Sequence, residues 1–148
     1  AIAGLDALKA AKDELESVSL VTTKNPASLK GAPFFDSSDI NPDKISKPTV
    51  LFDGTAKDAV SLFPKNVNVA ALLSLVGLGS KKTSVRIVAD PNTNKNTHQI
   101  NANGKFGNLS FTIENIPDST NPKTSRLATL SAIELVRQIC TKEVQIGT

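Results

Sequence analysis

Apolar and polar positions alternate most clearly between residues 81 and 117. In KKTSVRIVAD (81–90), Val85, Ile87 and Ala89 alternate with Ser84 and Arg86. A period of two sends the two sets to opposite faces of a strand. The pattern recurs in THQINAN (97–103), where Ile100 and Ala102 alternate with Gln99, Asn101 and Asn103. It recurs again in GNLSFTIENIP (107–117), where Leu109, Phe111 and Ile113 alternate with Asn108, Ser110 and Thr112. The connections DPNTNKN (90–96) and NGKFGN (103–108) are short and rich in turn formers. The three strands are expected to form an antiparallel meander with one apolar face and one polar, basic face.

After Pro117 and Pro122 the period changes. TSRLATLSAIELVRQIC (124–140) sets Leu127, Leu130, Ile133, Leu135, Val136 and Ile139 at helical spacings behind Thr124 or Ser125 as N-cap. Each leucine or isoleucine removed from water contributes roughly 1.5–3 kcal/mol. The helix is therefore expected to cover the sheet or to pack across another subunit.

Upstream, residues 4–18 read as a short amphipathic helix and SVSLVTT (17–23) as a strand. Residues 24–48 hold Pro26, Pro33, Pro42 and Pro48 and read as a long irregular excursion, arranged for function or against a partner. PTVLFDG (48–54) is a strand ending at an Asp53–Gly54 turn, and KDAVSLFPK (57–65) reads as a further strand stopped by Pro64. NVNVAALLSLVGLGS (66–80) is balanced between helix and buried strand. The fold class expected is α+β: an antiparallel sheet, a C-terminal helix packing across a dimer partner and a short N-terminal helix. Residues 1–148 form one domain by length.

Composition narrows the function. The longest apolar stretch, residues 67–79, is shorter than the ~20 residues a membrane span needs, so no membrane is expected. With no basic and apolar leader and no methionine, cytosolic synthesis with removal of the initiator methionine is expected. A lone cysteine, Cys140, excludes an internal disulfide and cysteine-based zinc sites. Charge is uneven: residues 1–80 carry eight lysines and nine acids, whereas 81–148 carry nine lysines or arginines and five acids. Such a bias on one polar face is a footprint for polyanions.

Catalytic chemistry is sparse. One histidine cannot form a multi-histidine metal site, no nucleophile elbow surrounds a serine, and GLGSKKT (77–83) lacks the spacing of a phosphate loop. His98 shares the parity of Ile100 and Ala102 and is expected to be a partly buried structural residue. No catalytic residue, metal or cofactor is expected, and the chain reads as a binding or assembly protein.

The SVRIVAD, THQINAN and GNLSFTIENIP strands, followed by the helix from Ser125 to Ile139, resemble the coat proteins of small single-stranded RNA bacteriophages of the levivirus type. That resemblance implies a homodimer that assembles into an icosahedral virion shell and packages single-stranded RNA. It also implies that Lys82, Arg86, Gln99, Asn101, Asn108, Ser110 and Thr112 face the RNA, with a hairpin as a translational operator. The competing readings are a secreted fimbrial or adhesin-like β domain, suggested by the Thr-, Asn- and Ser-rich strands, and an enzyme with a site around His98.

Overall fold

The first strand of the chain lies at the centre of the sheet. A computed structural model describes residues 2–65, 67–116 and 125–141. β1 (Leu15–Lys24) pairs in parallel with β3 (Thr83–Ala89) on one side and antiparallel with β4 (Asn96–Gly104) on the other. β2 (Thr49–Thr55) extends the sheet beyond β3 and β5 (Gly107–Asn115) extends it beyond β4, in the order β2-β3-β1-β4-β5.

The architecture is α+β, with a mixed rather than an antiparallel sheet. The meander expected of the last three strands holds only for β4 and β5, because β1 is inserted between β3 and β4. Alternation specifies which side chains share a face but not which strand is the neighbour, and consecutive strands are spatial neighbours only about two-thirds of the time. β1 fits the slot because Val18, Leu20 and Thr22 fall in line with Thr83, Val85 and Ile87 on one side and with Ala102, Ile100 and His98 on the other.

That inward face is covered by helices α1 (Leu5–Ala10), α2 (Ala56–Leu62) and α3 (Asn68–Val76) and by the 24–48 segment. Leu8, Leu29, Ala56, Ala59, Phe63, Ala70 and Leu73 are all fully enclosed in this layer. The N-terminal helix stops at Ala10, short of the expected boundary, since Leu15 already belongs to the sheet. Residues 57–65 form α2 and not a strand. Thr55 caps it by accepting from the Asp58 N–H at 3.3 Å and donating to Asp58 Oδ2 at 2.6 Å. Ala56, Ala59 and Phe63 then recur at helical spacing against the core. The ambiguous segment that follows resolves as the helix α3.

The 24–48 excursion is three 3₁₀ turns, Pro26–Leu29, Pro33–Asp36 and Pro42–Lys44, each opening on a proline. Proline suits that position because the first N–H of a helical turn has no internal partner. Phe34 from this segment stacks on Phe63, with ring centroids 5.1 Å apart.

Helix α4 (Arg126–Thr141) forms where its period predicts, but it does not cover the sheet. None of its side chains is buried, and Leu127, Leu130, Ile133, Leu135, Val136 and Ile139 are exposed. The apolar face it was expected to cover is already occupied by α1, α2, α3 and the proline turns. Its expected caps divide: Thr124 lies outside the described residues, whereas Ser125 Oγ accepts from the Ala128 N–H at 3.2 Å. Among the described residues no helix is long and apolar enough to cross a membrane, and no group of three or more His, Cys, Asp or Glu could hold a metal ion.

Candidate active site

Five polar residues of the described chain are buried: Thr22, Ser74, Thr83, His98 and Asn115. Two satisfy themselves locally, Ser74 Oγ donating to the Ala70 carbonyl at 2.8 Å and Thr83 Oγ1 to the Gly79 carbonyl at 2.9 Å. The other three meet at one end of the sheet. Thr22 lies opposite His98, His98 opposite Ile113, and Asn96 opposite Asn115. Lys24, the last residue of β1, continues the inward parity of Val18, Leu20 and Thr22 and is half-buried beside them.

His98 is 6% exposed. Its Nδ1 is 3.1 Å from Thr22 Oγ1, which fixes the ring and leaves Nε2 as the nitrogen with no hydrogen-bond partner among the described residues. Burial, and after it the positive charge of Lys24, lower the imidazole pKa from 6.5 to about 4. The ring is therefore neutral at pH 7. Burial also lowers the pKa of the Lys24 ammonium.

The rim of this end is tied down by Asn25. Its Oδ1 accepts from the Ala27 N–H at 3.0 Å. Its Nδ2 donates to the carbonyls of Thr93, at 3.0 Å, and Pro91, at 3.4 Å. Asp90 N–H donates to the Lys24 carbonyl at 2.9 Å. The β1 end and the 90–96 connection thus hold each other in place around the imidazole.

The residues expected to face RNA lie elsewhere. Arg86, Gln99 and Thr112 form one transverse row through Val21, and Asn101 pairs with Ser110 in the next. All are exposed on the outer face, as is Asn108, whereas Lys82 sits apart in the turn before β3. Several of these groups bond one another. Ser110 Oγ donates to Asn101 Oδ1 at 2.9 Å, Asn103 Nδ2 donates to Ser17 Oγ at 3.0 Å, and Arg86 donates twice to Asp53 Oδ2 at 2.5 and 2.9 Å.

Comparison with known proteins supplies the class first: residues 6–139 match the family model described as aspartate dehydrogenase, C-terminal. The chain is 69% identical over its whole length to L-aspartate dehydrogenase of Nitrosopumilus maritimus, covering 54% of that protein, and 49% identical to that of Methanocella arvoryzae, covering 55%. The crystal structure of aspartate dehydrogenase from Thermotoga maritima superimposes with a TM-score of 0.69 at 31% identity, covering all of this chain and 53% of that one. The chain belongs to the aspartate dehydrogenase C-terminal family and spans about half the length of these relatives.

Membership overturns the coat-protein resemblance and what it implied. Icosahedral assembly from homodimers, a virion location and bound single-stranded RNA all fall with it, as does the fimbrial alternative. The expectation of a protein without enzymatic function is corrected too, since the relatives are named as dehydrogenases. The error lay in weighing the exposed polar face, which is conspicuous in sequence, above the inner one. Lys24 was missed because the strand pattern appeared to end at Thr23. A lysine continuing the parity of a buried strand was the available signal.

Proposed function

We propose that this chain supplies the amino-acid-handling part of an L-aspartate dehydrogenase, with residues 1–148 as one domain of that enzyme. The observation that carries the reading is the neutral, enclosed imidazole of His98, held through Nδ1 by Thr22 and flanked by a cation. An α-amino acid in water carries an ammonium group, whose nitrogen has no lone pair with which to form a C=N bond. Oxidation at Cα therefore requires that a proton be taken from nitrogen. In the tautomer whose Nδ1–H donates to Thr22 Oγ1, Nε2 carries the lone pair that can accept this proton, and general-base catalysis of this kind contributes about 10²–10⁴-fold.

The family implies a nicotinamide dinucleotide as electron acceptor. Its pyrophosphate calls for a glycine-rich turn between a strand and a helix. Among the described residues no strand leads into such a turn: β1 runs into the Asn25–Pro26 segment, β2 passes through Thr55 directly into α2, and β3 and β4 end in turns that lead to another strand. These residues do not fit the dinucleotide phosphates, and no step is assigned through that group.

The test uses a polypeptide of the relatives' full length that carries this chain. It should oxidise L-aspartate, and His98→Ala should lower kcat about 10²–10⁴-fold. An unchanged kcat would remove His98 from the reaction.

A further inference from the structure

We propose that Asn25 is a positioning residue for the reaction: its side-chain amide seats the 90–96 connection over the end of β1 and so holds the His98 imidazole in place and shielded from water. The proposal rests on the dehydrogenase reading above. Its ground is topological. The 90–96 connection joins β3 to β4, yet β1 lies between those two strands. Lys24 is level with Ala89 on one side, and Thr23 is level with Thr97 on the other. The connection therefore crosses two strand spacings, about 9–10 Å, over the point where β1 leaves the sheet. Asn25 is the residue at that point.

The crossing is built in two halves that meet at Thr93. In the first, Asp90 Oδ1 accepts from the Asn92 N–H at 2.9 Å. In the second, Thr93 Oγ1 accepts from the Lys95 N–H at 3.1 Å. Asn25 Nδ2 donates to the Thr93 carbonyl at the joint and to the Pro91 carbonyl in the first half. The amide is itself preset. Pro26 restricts Asn25 to extended backbone, at φ −64° and ψ 136°, and Oδ1 is taken by the Ala27 N–H, which turns Nδ2 toward the crossing. Acceptance at one atom and donation from another, on so short a side chain, call for an amide. Downstream, β4 enters the sheet at Asn96, two residues before His98. A crossing that lifts takes with it the first β4 pairs, Thr97 with Thr23 and His98 with Thr22. It then opens to water an imidazole that burial keeps neutral.

The test compares Asn25→Ser with the wild type. Serine keeps an acceptor for the Ala27 N–H and adds no charge, but it gives up both donations to the crossing. The charges that act on the ring, Lys24 and the amino terminus, are unchanged. So are Asp90, Lys95 and Glu114 at the crossing, and a moved titration therefore reports the seating of the imidazole. In this chain His98 is the sole histidine, and its ring Cε1–H signal should titrate about one pH unit higher in Asn25→Ser. In the full-length polypeptide kcat should fall about tenfold with a smaller change in KM, and the acidic limb of kcat/KM should move up by the same interval as the signal. Thr93→Val leaves Asn25 and its cap intact and releases the second half of the crossing. It should move the His98 midpoint in the same direction, and it decides the matter if Asn25→Ser does not fold. An unmoved His98 midpoint in a folded variant, whatever the change in urea stability, reduces Asn25 to a cap of the Pro26–Leu29 turn and overturns the positioning role. A wild-type full-length protein that does not turn over L-aspartate overturns the dehydrogenase reading beneath it, and the titration still decides the seating.

Discussion

Thr22 Oγ1 and His98 Nδ1 are 3.1 Å apart across the β1–β4 ladder, in a pair of residues directly opposite each other. Cross-strand register therefore sets the orientation of the imidazole, and the hydroxyl is its fixed partner. Thr22→Val keeps the shape and removes that partner. The buried nitrogen then loses its hydrogen bond, at a cost of about 1–3 kcal/mol. Urea denaturation should show this loss, and the full-length enzyme should lose kcat about tenfold with a smaller change in KM. Thr22→Ser should restore most of both.

Stability should depend on pH through His98. Its folded pKa of about 4 lies below the ordinary 6.5, so between these values the unfolded chain holds a proton that the folded chain does not. The contribution is complete above pH 6.5, declines as pH falls through the window and levels off below about pH 4. The full loss is about 3 kcal/mol. Urea midpoints measured across this range should slope in the wild type, and the difference from His98→Asn should isolate the slope.

Phe63 should be the costliest side chain to truncate in the helical layer. It is fully enclosed, with the Phe34 ring centroid 5.1 Å away and that of Phe52 at 6.2 Å. Phe63→Ala removes contacts on both sides and should destabilise the fold by about 3–5 kcal/mol, read from the urea midpoint at constant slope.

Arg86 should behave in the opposite way despite its close ion pair. Its side chain and that of Asp53 are both about half exposed, where water and salt screen the attraction. Arg86→Ala should change stability by no more than about 1 kcal/mol, and the difference should shrink in added salt. A larger loss would mean that the outer face contributes more than its exposure implies.

Legibility in the sequence followed the range of the signal. Period-two alternation located β3, β4 and β5 because each side chain reports its own face, and the proline and glycine positions bounded them. The place of β1 between β3 and β4 was hidden, since pairing partners distant in sequence leave no local mark. Residues 57–65 misled because valine and phenylalanine near Pro64 favour a strand, whereas the Thr55–Asp58 cap and the buried alanines decide for helix. At the site, His98 was rightly placed among inward residues, but its parity with Ile100 and Ala102 said nothing of the hydroxyl opposite or of the lysine two residues beyond it. Thr22 and Lys24 reach it only through the fold.

The central position of β1 bears on how the chain comes to fold. Val18 meets Thr83 on one side and Ala102 on the other, so β1, which precedes both neighbours in the chain, must wait for them. Until β3 and β4 exist, its two edges are open, and closing the sheet means closing long loops. High contact order of this kind slows folding and lengthens the exposure of unpaired edges. Refolding should be limited by the docking of β1, and the half-built sheet is the species from which aggregation would start.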